Sequence, residues 1–406
     1  MPYPRTGAFL SDEQKASIFK KISKLPPRQQ RYYLAMLATE QRGGNPYPRQ
    51  FSKEYPTSKP DLKFEDGLCA ACINYAYRSK IDWKQREEEF RELLTNSKGK
   101  YTCVVPVSGG KDSHAQVLKV LEMGGNPLAV NARTCHLSGI GRENLDNIAN
   151  LGVDLIEIQP NLKIRRELNK LCLETVGDIS WAEHVSIFTI PVKVAIDYEI
   201  PLILWGENPQ NEYGGPNQES NGSRMLDRSW LEEFGGLLGL RVTDLPFSSE
   251  DIQFYQYPEQ VSGITGVFMG YYFPWDGYEN AIKARDHGFK YFSREVQSSG
   301  FPYENLDNYQ TGIHDFFKFL KYGFGRATDM ACSLIRRGII TREEGRDHAF
   351  QWDGKFPWVY LDKSLEEILE PLNISIEKFK ETCEMFTNRD IVKGSILDPR
   401  VEHTEQ

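Results

Sequence analysis

The segment that most narrows the fold is Val107-Ser108-Gly109-Gly110-Lys111-Asp112-Ser113, set between a β-rich run and an amphipathic one. Tyr101 to Val107 reads as a strand, and Ser113 to Met123 carries Val117, Leu118 and Leu121 at helical spacing. Two adjacent glycines at such a turn let backbone N–H groups approach a polyphosphate with no Cβ in the way. A helix starting near Asp112 or Ser113 adds the positive end of its dipole. Ser108 and Ser113 bring hydroxyl donors, and Lys111 a mobile cation. The loop is not a Walker loop, because the position five residues before Gly110 is Val105 rather than glycine. Nor does it carry the Gly-x-Gly-x-x-Gly spacing of dinucleotide sites. The plain alternative is a tight strand-to-helix turn without a ligand.

The alternation continues downstream. Pro127 to Asn131 reads as a strand, Arg142 to Asn150 as a helix and Asp154 to Ile158 as a strand. Two helical stretches then precede a last apolar strand, Pro201 to Trp205. Strands separated by helices of this length predict an α/β fold, a parallel sheet between helix layers. After Glu207 the pattern loosens into a Gly-, Asn- and Ser-rich loop, and from Tyr271 the chain is aromatic-rich and mainly helical. Upstream, Ser11-Asp12-Glu13-Gln14 opens a helix that Pro26-Pro27 interrupts, and Gly43 to Pro48 reads as a linker. The expected organisation is an N-terminal helical extension (1–60), a segment with Cys69-x-x-Cys72 and a charged helix (61–98), the α/β domain (99–270) and a mainly helical C-terminal region (271–406).

A net charge of −8 argues against a nucleic-acid partner, which wants a clustered basic face. Arg165-Arg166 and Arg336-Arg337 are surrounded by acids and read as solvated helix faces. No run approaches the roughly 18 apolar residues of a membrane span. Met1 to Arg5 shows no secretory pattern, and seven scattered cysteines do not suit a secreted disulfide framework, so a cytoplasmic location is expected.

Ser-Gly-Gly-x-Asp-Ser after the first strand resembles the PP-loop of the ATP pyrophosphatases, a group that includes synthetases for GMP, NAD, asparagine and argininosuccinate and tRNA-thiolating enzymes. That resemblance implies a HUP-type domain that binds ATP with Mg²⁺, releases pyrophosphate and leaves AMP on a substrate oxygen. Further segments point to one branch: Gly139 to Leu145, Trp205 to Pro209 with Glu212 to Gly215, Gly270 to Trp275, His314-Asp315-Phe316, Phe324 to Asp329, Ile335 to Gly338 and Thr341 to Glu344. Together they resemble the N-acetyl sugar amidotransferases of bacterial surface-glycan and flagellin-glycan biosynthesis, over about residues 63–357. The resemblance implies conversion of an acetamido to an acetamidino group on pseudaminic or legionaminic acids or diacetamido uronic sugars. It also implies a glutaminase partner that supplies ammonia. The same family commonly carries two Cys-x-x-Cys pairs that suit zinc. Here the stretch from Gln41 to Pro60 has no cysteine, so Cys69 and Cys72 are half of a tetrahedral Zn²⁺ site.

Residue roles follow with their alternatives. Ser108, Gly109, Gly110, Lys111, Asp112 and Ser113 form the expected ATP loop; Asp112 is either a Mg²⁺ ligand or a helix cap. Asn131 and Gly206 end strands beside it, where superfamily analogy puts the nucleotide. Glu207, Asn208 and Glu212 follow the last strand, where open α/β sheets hold their ligands. Arg133, His136 and Arg142 could fork onto a sugar carboxylate or form surface ion pairs. His184 is either a proton acceptor for the incoming ammonium or a structural histidine. Two other classes compete: an RNA-modifying sulfur transferase, for which Cys135 is the candidate nucleophile, and a nucleotide-binding module without chemistry.

Overall fold

The computed structural model describes residues 62, 64–97, 99–207, 247–256 and 263–401. A small hairpin, β1 (Phe64–Glu65) and β2 (Leu68–Cys69), leads into helices α1 (Ala70–Tyr77) and α2 (Trp83–Asn96). Five parallel strands follow: β3 (Cys103–Pro106), β4 (Pro127–Ala132), β5 (Asp154–Ile158), β6 (Leu202–Trp205) and β7 (Thr265–Phe268). Their spatial order is β5-β4-β3-β6-β7. The winding direction therefore reverses between β3 and β6, which opens a crevice beyond the carboxyl ends of those two strands.

Alternation along each strand supplies both faces of the sheet. Val105, Ala129, Leu204 and Val267 join one core with Phe90 of α2, Val117 and Val120 of α3 (Lys111–Glu122) and Leu145 and Ile148 of α4 (Gly139–Asn150). Val104, Leu128, Val130, Ile203 and Phe268 join the opposite core with Ile190 and Val194. The nearly unbroken apolar runs of β3, β4 and β6 are what a sheet covered on both sides requires, while the edge strand β5 carries Asp154 and Glu157. Helix α5 (Leu162–Val176) and the first turn of α6 (Trp181–Asp197) instead enter a third core, shared with residues 281–396.

Downstream of β7 come α7 (Met269–Tyr272), α8 (Gly277–Asp286), α9 (Thr311–Tyr322), α10 (Arg326–Arg336) and α11 (Arg342–Trp352). The hairpin β8 (Val359–Tyr360) with β9 (Lys363–Ser364), α12 (Leu365–Leu369), α13 (Ile376–Phe386) and the hairpin β10 (Val392–Ser395) with β11 (Asp398–Val401) complete the described residues. Among the described residues no helix is long and apolar enough to cross a membrane.

Three expectations need correction. Strand β7 falls in the stretch read as loop; Gly266 and its four-residue length hide it from any periodicity. Helix α4 begins three residues before Arg142, because Ser138 caps it by accepting from Gly141 N–H at 2.8 Å. The basic pairs are not solvated faces. Arg165 is fully buried and donates to Tyr255, Glu183 and Ser186. Arg337 pairs with Asp276 at 2.5 Å and Glu279 at 3.1 Å. The N-terminal extension 1–60, including its predicted helices, lies outside the described residues.

Candidate functional site

The glycine loop sits at the reversal point. Ser113 Oγ accepts from Ser108 N–H at 2.9 Å, and Ser108 Oγ accepts from Gly110 N–H at 3.2 Å, so the two hydroxyls shape the turn. The N–H groups of Gly109, Lys111 and Asp112 have no hydrogen-bond partner among the described residues, as befits the first turn of a helix. Gly109 has φ +88°, and a Cβ there would lie 2.9 Å from Leu145 N. Its glycine is thus demanded by backbone conformation and by contact with α4. At Gly110 a Cβ would meet only Ser108 Oγ, at 3.2 Å, so that face of the loop is the more open one.

His114 locks the turn from below. Gly110 O lies 2.9 Å from His114 Nδ1, which must therefore carry the proton, and Asn147 donates to Nε2 at 3.1 Å. Burial, and then His287, keep its pKa below the ordinary value, although the bond to Gly110 O works the other way. Neighbouring strand ends are tied in as well. Asn131 donates to Val107 O at 2.7 Å, and Gln116 to Leu204 O at 3.2 Å. Asn131 Oδ1 is buried without a partner among the described residues. Gly206 lies against Trp275, whose ring a Cβ would meet at 3.2 Å. Half-buried Glu207 follows it, while Asn208 and Glu212 lie outside the described residues.

Lys111 is not the mobile cation expected. It is buried, with its ammonium 2.8 Å from Asp112 and 2.6 Å from Glu304. Burial alone would lower its pKa; the two carboxylates outweigh that and hold it well above the ordinary lysine value. Asp112 is not the cap either. Gly110 occupies that position, and Asp112 Oδ1 accepts from Asn280 of α8 at 2.8 Å. The lysine of the loop thus ties it to the segment ahead of α9.

A second cluster lies at the end of β4. Cys135 N–H donates to Glu183 at 2.8 Å, joining this loop to α6. His136 Nε2 is 3.1 Å from Lys363 Nζ, and its ring packs edge-on against Tyr309. Burial, then Lys363 and Arg166, pull the His136 pKa down to about 4. Arg142 is held by Glu157 at 2.7 Å and Asp146 at 2.6 Å. Of the two expected arginines, only Arg133 stays loosely paired, 4.0 Å from Glu157. Burial pushes the Cys135 thiol up to about 11, the opposite of what an activated nucleophile needs.

His184 lies in a third cluster. Its ring meets that of His314 at 5.0 Å, and His314 Nδ1 is 2.9 Å from Asp178. Burial opposes the Asp178 charge, but His314, His184 and Lys321 outweigh it and hold that carboxyl well below the usual range. His184 keeps solvent contact while protein crowds its other sides. That desolvation, with His314, draws its pKa down to about 4. Far from these groups in sequence, Cys69 and Cys72 have their sulfurs 3.1 Å apart beside Cys332, in the small core of Leu62 and Phe324. Among the described residues no group of three His, Cys, Asp or Glu side chains is placed to hold a metal.

All three clusters draw on the C-terminal region: Glu304 on Lys111, Tyr309 and Lys363 on His136, and His314 on Asp178. Residues 289–395 match the family model described as LPS biosynthesis protein WbpG-like, C-terminal domain. No curated protein matches the chain. The WbpG-like region thus supplies partners to all three clusters, and it is similar to a family of LPS biosynthesis. The sequence marks His314 without a role, reads Arg166 as a solvated charge, and gives no signal for His114, Glu304 or Lys363. Of these last three, only Glu304 and Lys363 lie in the matched span, and neither stands in a recognisable local motif.

Proposed function

We propose that the chain is an ATP-dependent amidotransferase of the PP-loop, HUP-type class that acts on an acetamido sugar in surface-glycan biosynthesis. The observation that carries this is the loop Ser108–Ser113, which presents the unpartnered N–H groups of Gly109, Lys111 and Asp112 at the crevice where the sheet's winding reverses. The similarity of residues 289–395 to an LPS-biosynthesis family supports the sugar substrate.

An amide carbon is a poor electrophile, so its oxygen must first become a leaving group. In the proposed reaction the acetamido oxygen attacks the α-phosphorus of ATP and pyrophosphate departs, leaving an O-adenylyl imidate. Ammonia, delivered by a glutaminase partner, then adds to the imidate carbon, loses a proton and expels AMP, giving the acetamidino group. The loop N–H groups and the α3 dipole receive the charge of the departing pyrophosphate. Mg²⁺ bound with the nucleotide would neutralise phosphate charge, and Asp112, partly exposed beside Lys111 and Asn280, is the protein ligand offered to it. Lys111 acts here by fixing Asp112 and the loop against Glu304. His184 is neutral at pH 7 and is the base offered to the proton of the ammonium adduct, a weak one at a pKa of about 4.

The test is incubation of the chain with ATP, an ammonium salt and a panel of acetamido sugars, followed by mass spectrometry for replacement of oxygen by NH and by assay of AMP. Product and AMP together support the reading. AMP release that no acetamido sugar stimulates would return the chain to the class of nucleotide-binding modules. RNA sulfur transfer is disfavoured by the raised pKa of Cys135 and by the acidic balance.

A further inference from the structure

Buried polar atoms without a partner are exceptions in folded proteins, and several of those here stand together. Thr134 Oγ1, His136 Nδ1 and Arg166 Nε are buried without a hydrogen-bond partner among the described residues, as is Arg133 Nε, whose loose ion pair with Glu157 spans 4.0 Å. Arg133, Thr134 and His136 lie on the loop after β4, and Arg166 approaches the same loop from α5, where it also lies against the Cys135 thiol. Each can donate. For His136 the tautomer follows from Lys363: an ammonium has no lone pair, so Nε2 at 3.1 Å accepts and Nδ1 carries the hydrogen.

Four acids around this loop have other partners, Glu157 being held by Arg142 at 2.7 Å. Glu183 is held by Arg165 and by Cys135 N–H. Glu367 accepts from Ser364 N–H and O–H at 2.8 and 2.7 Å, and Asp362 accepts from Tyr309 O–H at 2.8 Å. Two cations, Arg166 and Lys363, therefore face a set of donors that lacks acceptors. We infer that Thr134, His136, Arg166 and Lys363, with Arg133 at the edge, bind an anionic substituent of the sugar substrate, a carboxylate or a phosphate. The inference rests on the reading of the substrate as an acetamido sugar. Its two halves come from different regions, since Lys363 lies in the WbpG-like span and the other residues in the α/β part.

Calorimetric titration of the full chain, with neither ATP nor ammonia, tests it directly. The probes are N-acetylneuraminic acid for the carboxylate, N-acetylglucosamine 1-phosphate for the phosphate, and N-acetylglucosamine as the neutral reference. One acid is expected to bind at least about tenfold more tightly than the neutral sugar, and Arg166→Gln or Lys363→Gln to remove about tenfold of that preference. Thr134→Val, which deletes a donor but no charge, should weaken the same acid without altering its salt dependence. Equal binding of all three probes, no binding of either acid, or an unchanged preference in the folded variants would overturn the inference. Because no turnover is measured, an intact acid preference beside a failed amidine assay would remove the reaction and keep this site.

Discussion

Removing the Glu304 carboxylate should loosen the glycine loop even though Glu304 lies nearly 200 residues from it in sequence. Lys111 and Glu304 are both about nine-tenths buried, with nitrogen and oxygen 2.6 Å apart. At an effective dielectric of about 20, that separation corresponds to roughly 6 kcal/mol of gross attraction. Asp112, at 2.8 Å, remains to share the ammonium in the variant, so part of this survives. Breaking a buried pair from one side typically costs about 3–5 kcal/mol, and the lower end, roughly 3 kcal/mol, is expected for Glu304→Ala. Thermal unfolding followed by fluorescence should show a midpoint lower by on the order of 3–5 °C. Lys111→Met should cost a similar amount, and the double variant should be less destabilised than the sum, since each single change strands the other's charge. The ATP readout separates two roles for the lysine. If Lys111 ties the loop, KM for ATP rises in both single variants. A lower KM in Glu304→Ala, as though a phosphate-binding cation had been set free, would refute the reasoning.

Gly109→Ala should destabilise by roughly 2–4 kcal/mol, from a left-handed φ and a Cβ pressed on the Leu145 backbone, whereas Gly110→Ala should fold normally and lose ATP turnover. Unfolding titrations beside AMP assays check the contrast. His136 has its pKa depressed to about 4 against an ordinary 6.5, so the unfolded chain takes up this proton first as pH falls. Its contribution is whole above about pH 6.5 and declines toward pH 4, and His136→Gln should flatten that part of the stability–pH curve. With its thiol raised to about 11, Cys135 should react with iodoacetamide at pH 7.5 far more slowly than free cysteine, and Cys135→Ser should keep amidotransfer activity. Loss of that activity in Cys135→Ser would reopen sulfur-transfer chemistry.

Strands β3, β4 and β6 were readable because a sheet buried on both faces leaves nearly uninterrupted apolar runs. β7 escaped because its TGVF sequence is too short and too small to repeat anything. The glycine loop was legible as a turn between strand and helix, but the reason for Gly109 was not. Its missing Cβ makes room for Leu145, which only the packing of α4 reveals. In the same way Gly141 reads as an odd residue in a helix until Asp307 is seen, whose Cα would lie 2.7 Å from an added Cβ. Arg165 looked like a surface charge because sequence neighbours are what a linear reading sees. Its partners Glu183, Ser186 and Tyr255 come from α6 and from the segment 247–256.

Local chemistry by itself determined the alternating α/β pattern and the hydroxyl-and-glycine turn, since both depend on residues within a few positions of one another. Charge assignment was decided by the tertiary structure alone. Whether Lys111 is free or clamped, whether Arg142 is available, and which donors of the β4 loop lack acceptors all depend on Glu304, Glu157 and Lys363 arriving from other elements. Electrostatic pairing acts through space at a few ångströms, and sequence order carries no record of which distant charges will be brought that close.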